Sequence, residues 1–375
     1  MKLELEYSDP EQAGFSRDKL IKIRGILERY VNGDLISGIE LLVARGGKIV
    51  FHEALGWAEK IPSRRLLKRG MLFDLASLTK PLVGSVLVGK LVSEGVIYLK
   101  QRVSDILPQF SRTNAGFNEV KDKVRVWMLL SHSSGLPAWQ PLYKTASSRE
   151  DIFSEALRSF PVYEPGSRAL YSDLGFIVLT KVIEEISGER LDIFFEKNVA
   201  RILGLKNTMF NPLEKSLDPS QIVSTEVING KALTGVVHDE NARAMNGVSA
   251  HAGLFSNAYE VALLANEILE SYKFRSDLLL PPAYVRAMFD TWACGDRCYG
   301  LGWWIYDRKS IEAGGDLLIR GFGHTGFTGT SVWIDPEFDL VIVLLTNRVH
   351  PSRDNNSINS LRPIVHNIIL SSIRE

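Results

Sequence analysis

Ser77-Leu78-Thr79-Lys80 opens an apolar run, and its reading decides how the rest of the chain is organised. On a helix, residues at i and i+3 share a face, so the Lys80 amine can reach the Ser77 hydroxyl. A serine is a poor nucleophile at its free pKa and needs an adjacent base, which a desolvated lysine can supply. The tetrapeptide alone decides little. Ser16-Arg17-Asp18-Lys19 repeats the pattern and reads as a helix cap.

Two clusters downstream give Ser77 its weight. Tyr171-Ser172-Asp173 leads into an apolar helix expected over Leu174 to Ile186. A phenol beside the Lys80 ammonium is expected to have its phenolate favoured, which makes Tyr171 a proton shuttle. Gly323-His324-Thr325-Gly326-Phe327 lies just ahead of an expected strand. Its glycines allow a ligand to approach the backbone closely, and free N–H groups there can hydrogen-bond it.

Outward from these clusters the patterning changes. Ser16 precedes an amphipathic helix with Leu20, Ile23, Ile26, Leu27 and Tyr30 at helical spacing. Residues 38–57 read as a hairpin, Ile39 to Ala44 and Ile49 to Ala54, turning at Arg45-Gly46-Gly47-Lys48. From Ser77 to about residue 207 the pattern is mostly helical, and 208–237 are polar and β-leaning. The region 258–272 is again helical. Strands are expected over Leu301 to Tyr306, Thr330 to Ile334 and Leu340 to Thr346, then a helix over about 361–373. Strands at both ends with helices between predict a single α+β catalytic domain, an antiparallel β-sheet flanked by helices. Residues 1–75 and 240–375 supply the sheet layer, and 76–239 a mainly helical second subdomain. Ser77 falls where the two meet, which predicts a cleft there.

Composition narrows the partners. Lys+Arg and Asp+Glu balance at 44 each, so no polyanion is implied and nucleic acid is not an expected partner. No run reaches the length of a membrane span. Glu4 and Glu6 stand where a signal peptide has its apolar core, which predicts a cytoplasmic protein. Cys294 and Cys298 read as two reduced thiols in a surface loop, with a labile disulfide between them as the alternative. His238, Asp239, Glu240 and His251 cannot all converge on one ion from an extended segment, so no metal site is expected and the four read as loop braces or substrate contacts. His132, in a Ser-rich turn, reads as a loop support, and Trp303 and Trp304 as core and cleft-wall residues. Oligomeric state is not fixed by the sequence.

Ser77-x-x-Lys80, then Tyr171-x-Asp173, then His324-Thr325-Gly326 resembles the three-box signature of penicillin-binding proteins and serine β-lactamases, in the class C or β-lactamase-related branch. Leu129 to Pro137, Pro165-Gly166, Leu203-Gly204-Leu205 and Tyr299 to Trp303 agree with it. The resemblance implies a β-lactamase/transpeptidase-like fold and a serine hydrolase without a cofactor. Ser77 becomes the nucleophile of an acyl-enzyme, with Lys80 and Tyr171 sharing general base and acid duties. The backbone N–H groups of Ser77 and Phe327 form the oxyanion hole, and Asp173, His324, Thr325 and Gly326 meet substrate.

Two boxes depart from the family. Asp173 stands where Asn is usual, and as a carboxylate it can hold the Lys80 ammonium and raise its pKa. His324 stands where Lys usually fixes a substrate carboxylate. The stretch from Val237 to Ser256, with Gly323 to Asp335 and Thr346 to Pro351, is similar to cytoplasmic N-acetylmuramoyl-L-alanine amidases and penicillin-binding-protein-4B-like proteins. That resemblance implies an amidase acting on peptidoglycan fragments. A carboxylesterase with weak β-lactamase or D-amino-peptide carboxypeptidase activity is the alternative, and a non-hydrolytic binding protein for cell-wall fragments or β-lactams is a third.

Overall fold

The computed structural model describes residues 4–113, 116–307, 315–318 and 320–374. Its main sheet runs, edge to edge, through Glu6–Tyr7, Lys48–Glu59, Gly38–Arg45, Leu340–Thr346, Ser331–Asp335, Phe322–Thr325, Trp304–Ile305, Cys298–Tyr299 and Ala293–Cys294. All neighbours along this path are antiparallel except the first pair. The hairpin read from residues 38–57 is therefore central, flanked by a strand from the far end of the chain.

Both faces of the central strands are covered, which explains their unbroken apolar runs. Successive side chains alternate across a strand. Ile39, Leu41 and Val43 join Leu340, Ile342 and Leu344 in a core with Leu20, Ile23, Leu27, Leu361, Val365 and Ile369 from the terminal helices. Leu42 and Ala44 join Val341, Val343 and Leu345 on the other face, against the helix Ala258–Tyr272 and the helices that carry Leu87 and Ile177. A second, three-stranded sheet pairs Leu254–Ser256 with Phe73–Asp74 and Met209–Phe210. It fixes the chain immediately before Ser77.

Several expectations change. The strand expected over Leu301 to Tyr306 is reduced to Trp304–Ile305. Gly302 turns the chain at φ +84, and its N–H donates to the Leu130 carbonyl at 3.0 Å, so Leu301 to Trp303 leave the sheet to pack inward. Ser16 occupies a helix N-cap position without a side-chain cap. The 323–327 cluster precedes the strand Ser331–Asp335 as expected, and its first three residues belong to a further strand, Phe322–Thr325. Cys294 and Cys298 are not separate thiols but a disulfide. They face each other in the register of a short hairpin, Cα to Cα 4.1 Å, so the turn itself brings the sulfurs together. Among the described residues, no helix is long and apolar enough to cross a membrane.

Candidate active site

Ser77 sits on a tight 3₁₀ turn, Ala76–Leu78, rather than on an α-helix. Lys80, three residues on, begins the next helical segment and reaches back to Ser77. The turn is bolted from several sides. The buried Asp74 carboxylate accepts from Ala76 N–H (2.9 Å) and His238 N–H (2.7 Å). Thr79 Oγ1 donates to the Ala76 carbonyl (2.7 Å) and accepts from Leu254 N–H (3.2 Å). These bonds hold Ala76 at φ +47, a left-handed position disfavoured for any residue with a Cβ. The following Lys80–Ser85 turns are π-helical, with Pro81 supplying no N–H.

Lys80 is fully buried. Its Nζ donates to Ser77 Oγ (3.0 Å) and to the His251 carbonyl (3.0 Å), and pairs with Asp173 Oδ1 at 2.7 Å. Tyr171 closes the group: it lines the cleft beside Ser77, and the Lys80 Nζ lies 4.9 Å from its ring centroid. Ser172 fixes that approach by capping the helix Asp173–Ser187: its Oγ accepts from Gly175 N–H and donates to the Pro137 carbonyl. Ser172 N–H in turn donates to His132 Nδ1 at 3.0 Å, so His132 supports the Tyr171 loop, as its place in the sequence implies.

Electrostatics departs from expectation at Tyr171. Burial pushes the phenol above its ordinary value; the Lys80 ammonium pulls it down, and Asp173 offsets part of that pull. The phenolate expected from the Lys80 contact is therefore not the resting form. For Lys80, burial lowers the pKa, but Asp173 and Tyr171 outweigh it and the net shift is upward. Both shifts favour the protonated forms, the Lys80 ammonium and the Tyr171 phenol.

The third cluster presses against the Ser77 turn. Thr328 Oγ1 donates to the Asp74 carbonyl (2.7 Å) and Thr330 Oγ1 to the Leu75 carbonyl (2.9 Å). Phe327 is thereby held beside the start of the 3₁₀ turn, where the Ser77 N–H has no acceptor within its own helix. Among the described residues, no backbone carbonyl accepts from the Phe327 N–H. Arg348 steadies this corner, Nε donating to the Phe327 carbonyl at 2.7 Å.

The cleft above, about 430 Å³, is lined by Ser77, Tyr171, Thr325, Gly326 and Phe327, together with Arg297, Trp304, Arg348 and Arg362. His324, expected to meet substrate, does not line it. The ring is fully buried between Tyr171 and Trp304, and its Nδ1–H donates to the Thr325 carbonyl (2.7 Å). Burial, then the Lys80 charge, hold it neutral. Asp173 also faces Lys80 rather than the cleft. Sequence reasoning missed the His251 carbonyl and the cleft arginines, since neither backbone acceptors nor residues converging from distant segments leave a spacing pattern. His238, Glu240 and His251 are braces: His238 bonds Glu226, Glu240 bonds Arg353, and His251 Nε2 bonds Asp239.

Residues 23–365 match the Beta-lactamase family. The chain belongs to the β-lactamase family. It is 34% identical over 377 residues to the N-acetylmuramyl-L-alanine amidase of Bacillus subtilis (strain 168), covering 93% of this chain and 85% of that one. It is 33% identical over 380 residues to a putative D-alanyl-D-alanine carboxypeptidase of Escherichia coli (strain K12), covering 92% and 86%. Among solved structures it resembles EstCE1, a hydrolase with promiscuous acyltransferase activity, at a TM-score of 0.75 and 21% identity over 94% of this chain and 99% of that one. The octameric penicillin-binding protein homologue from Pyrococcus abyssi follows at 0.71 and 20%, over 92% and 77%. These two likenesses establish a β-lactamase/transpeptidase-like α+β fold, and the family is one of serine hydrolases.

Within this family the Asp173 carboxylate yields a prediction with a definite sign. A Lys80–Tyr171 pair that is to take a proton from Ser77 must first have lost one, and Asp173 raises the pKa of both members. Asp173→Asn should therefore move the acid limb of the kcat/KM–pH profile to lower pH, since an asparagine adds no negative charge. Hydrolysis of p-nitrophenyl acetate well below the wild-type midpoint should rise about ten-fold or more relative to each enzyme's plateau. A profile superimposable on the wild type's would show that Asp173 does not set the proton affinity of the pair.

Proposed function

We propose that this chain is an amidase that cuts N-acetylmuramoyl-L-alanine bonds in peptidoglycan fragments through a Ser77 acyl-enzyme. The observation that carries the chemistry is the 3.0 Å contact between Lys80 Nζ and Ser77 Oγ, with Tyr171 beside them in the same cleft. Once the Lys80–Tyr171 pair has released one proton to solvent, Ser77 Oγ attacks the lactyl carbonyl carbon as its own proton passes to the pair. The oxyanion is met by the N–H groups of Ser77 and Phe327, each such donor being worth about 3 kcal/mol of barrier. Collapse breaks the C–N bond, and the pair returns the proton to the departing L-alanyl amine. Water then attacks the ester along the same proton path and releases the lactyl carboxylate.

Two features support the choice of substrate. The Bacillus relative, alike over 93% of this chain, bears the amidase name. The third box presents a buried neutral His324, where a carboxypeptidase reading needs a cation for the terminal carboxylate. The relatives named as putative D-alanyl-D-alanine carboxypeptidases, at similar identity, keep that activity as the second reading. We propose a cytoplasmic site of action, and the Cys294–Cys298 disulfide, which runs against a reducing compartment, argues for an oxidising one. Thiol trapping in cell fractions decides between them.

The test is product identity. Purified protein is incubated with N-acetylmuramoyl-L-alanyl-D-isoglutamine and, separately, with a peptide ending in D-alanyl-D-alanine. Mass spectrometry should find N-acetylmuramic acid and free L-alanyl-D-isoglutamine from the first. Release of D-alanine from the second, with the first intact, would replace the amidase reading by the carboxypeptidase one.

A further inference from the structure

Lys80 Nζ is held by Ser77 Oγ, by Asp173 and by the His251 carbonyl. A backbone oxygen keeps an ammonium in one place only if the chain that carries it is itself fixed. His251 lies in the buried loop 247–253, which runs into the strand Leu254–Ser256. That strand pairs with Phe73–Asp74, and the Leu254 carbonyl accepts from Leu75 N–H at 3.0 Å. The downstream side of the loop is therefore tied to the segment that leads into Ser77.

The His251 side chain supplies the other tie. The ring is buried and both its nitrogens are bonded, Nδ1 with Ser249 Oγ at 2.7 Å and Nε2 with Asp239 Oδ1 at 2.8 Å. A carboxylate only accepts, so Nε2 carries the hydrogen in the second contact. Ser249 continues the chain to Thr180 Oγ1 at 3.1 Å, on the helix Asp173–Ser187, and Thr180 Oγ1 accepts from Ala250 N–H at 2.8 Å. Asp239 is fixed in turn as the cap of Glu240–Ala244, its Oδ1 accepting from Ala242 N–H at 2.8 Å. Burial works against the Asp239 charge, but His251, the Ala242 N–H and the Lys80 charge together hold its carboxyl below the ordinary range. The other groups facing Lys80 are Asp173 and Tyr171, with His132 and His324 kept neutral by burial and then by Lys80 itself. Asp74, ahead of the Ser77 turn, has its pKa raised by burial first, and Asp239 adds to that.

We propose that Asp239 is a positioning residue for acyl transfer: through the His251 ring it fixes the carbonyl that holds Lys80 Nζ against Ser77. The inference rests on reading Lys80 as a member of the pair that takes the Ser77 proton, and it deepens that reading. The carboxylate makes the tether charge-assisted, about twice as strong as its neutral counterpart. Its negative charge favours the Lys80 ammonium, and a carbonyl held in place does the same. Weakening either lets Lys80 release its proton at lower pH. A residue that only capped the helix would need no charge, because Asn caps as well as Asp.

The test follows the rate of fluorophosphonate labelling at Ser77 against pH, read from the mass of the intact protein, so it does not depend on which bond the enzyme cuts. Asp239→Asn keeps the shape of the side chain and its cap while removing the charge. Its labelling midpoint should move to lower pH. About one pH unit below the wild-type midpoint, its rate relative to plateau should exceed the wild type's about three-fold. The melting temperature should stay within about 2 °C of the wild type. Asp239→Ala cuts the tether and should also lower the plateau rate about ten-fold, the scale of one hydrogen bond to a charged group. A midpoint unmoved in Asp239→Asn, or a plateau unchanged in Asp239→Ala, would overturn the proposal. Absence of labelling in the wild type would overturn it together with the Ser77 acyl-enzyme. A shifted midpoint in a protein that leaves N-acetylmuramoyl-L-alanyl-D-isoglutamine intact would keep Asp239 in its role and remove the amidase reading. Cleavage of that substrate with an unmoved midpoint would do the reverse.

Discussion

Alanine at position 77 should abolish turnover of esters and amides and leave the chain unreactive toward a fluorophosphonate. The expected fall in kcat is about 10⁶-fold, the scale on which loss of a serine nucleophile acts. The fold should survive. Ser77 Oγ bonds Lys80, whereas the 3₁₀ turn is held by Asp74, Thr79, Thr328 and Thr330 through the backbone. The melting temperature should stay within about 2 °C of the wild type. The deciding measurement is the mass of the intact protein after labelling. A covalent adduct on the variant, mapped to another hydroxyl, would remove Ser77 from the centre of the chemistry.

How much of this site the sequence could show depends on what kind of information each part needs. The Ser77–Lys80 contact is local, three residues along one turn, and spacing reports it directly. The central hairpin was equally legible, because alternation and the Gly46-Gly47 turn are local signals; Gly46 and Gly47 do take positive φ. The Asp173 pairing with Lys80 followed from the residue type standing in the second box. Depth of burial was not legible. It reverses the expected direction at Tyr171, where removal from water outweighs a neighbouring ammonium, and it hides His324 behind the wall it was expected to form. Convergence of distant segments was not legible either. Arg297, Arg348 and Arg362 leave no spacing to read, and the two cysteines meet because a hairpin register opposes them.

The second large effect is expected at Gly326, on the opposite wall from Lys80. A Cβ there would lie 2.2 Å from Thr330 Oγ1, 2.5 Å from the Leu75 carbonyl oxygen and 3.3 Å from Ala76 Cβ. None of the three can easily yield. Thr330 Oγ1 is itself bonded to the Leu75 carbonyl, and Ala76 is pinned at positive φ by Asp74 and Thr79. Gly326→Ala must therefore push the end of the strand Phe322–Thr325 away from the Ser77 turn. That movement separates the Ser77 and Phe327 N–H groups, which must point at one oxygen to stabilise it. Loss of one such donor costs about 10²–10³ in kcat, so the variant should lose at least about 10³-fold. Overpacking should add about 1–3 kcal/mol of destabilisation, visible as a lower melting temperature. The nucleophile and its base lie across the gap and keep their 3.0 Å contact, so slow fluorophosphonate labelling at Ser77 should persist, unlike in Ser77→Ala. A Gly326→Ala enzyme with near-wild-type kcat would mean that the oxyanion is held by groups other than these two amides.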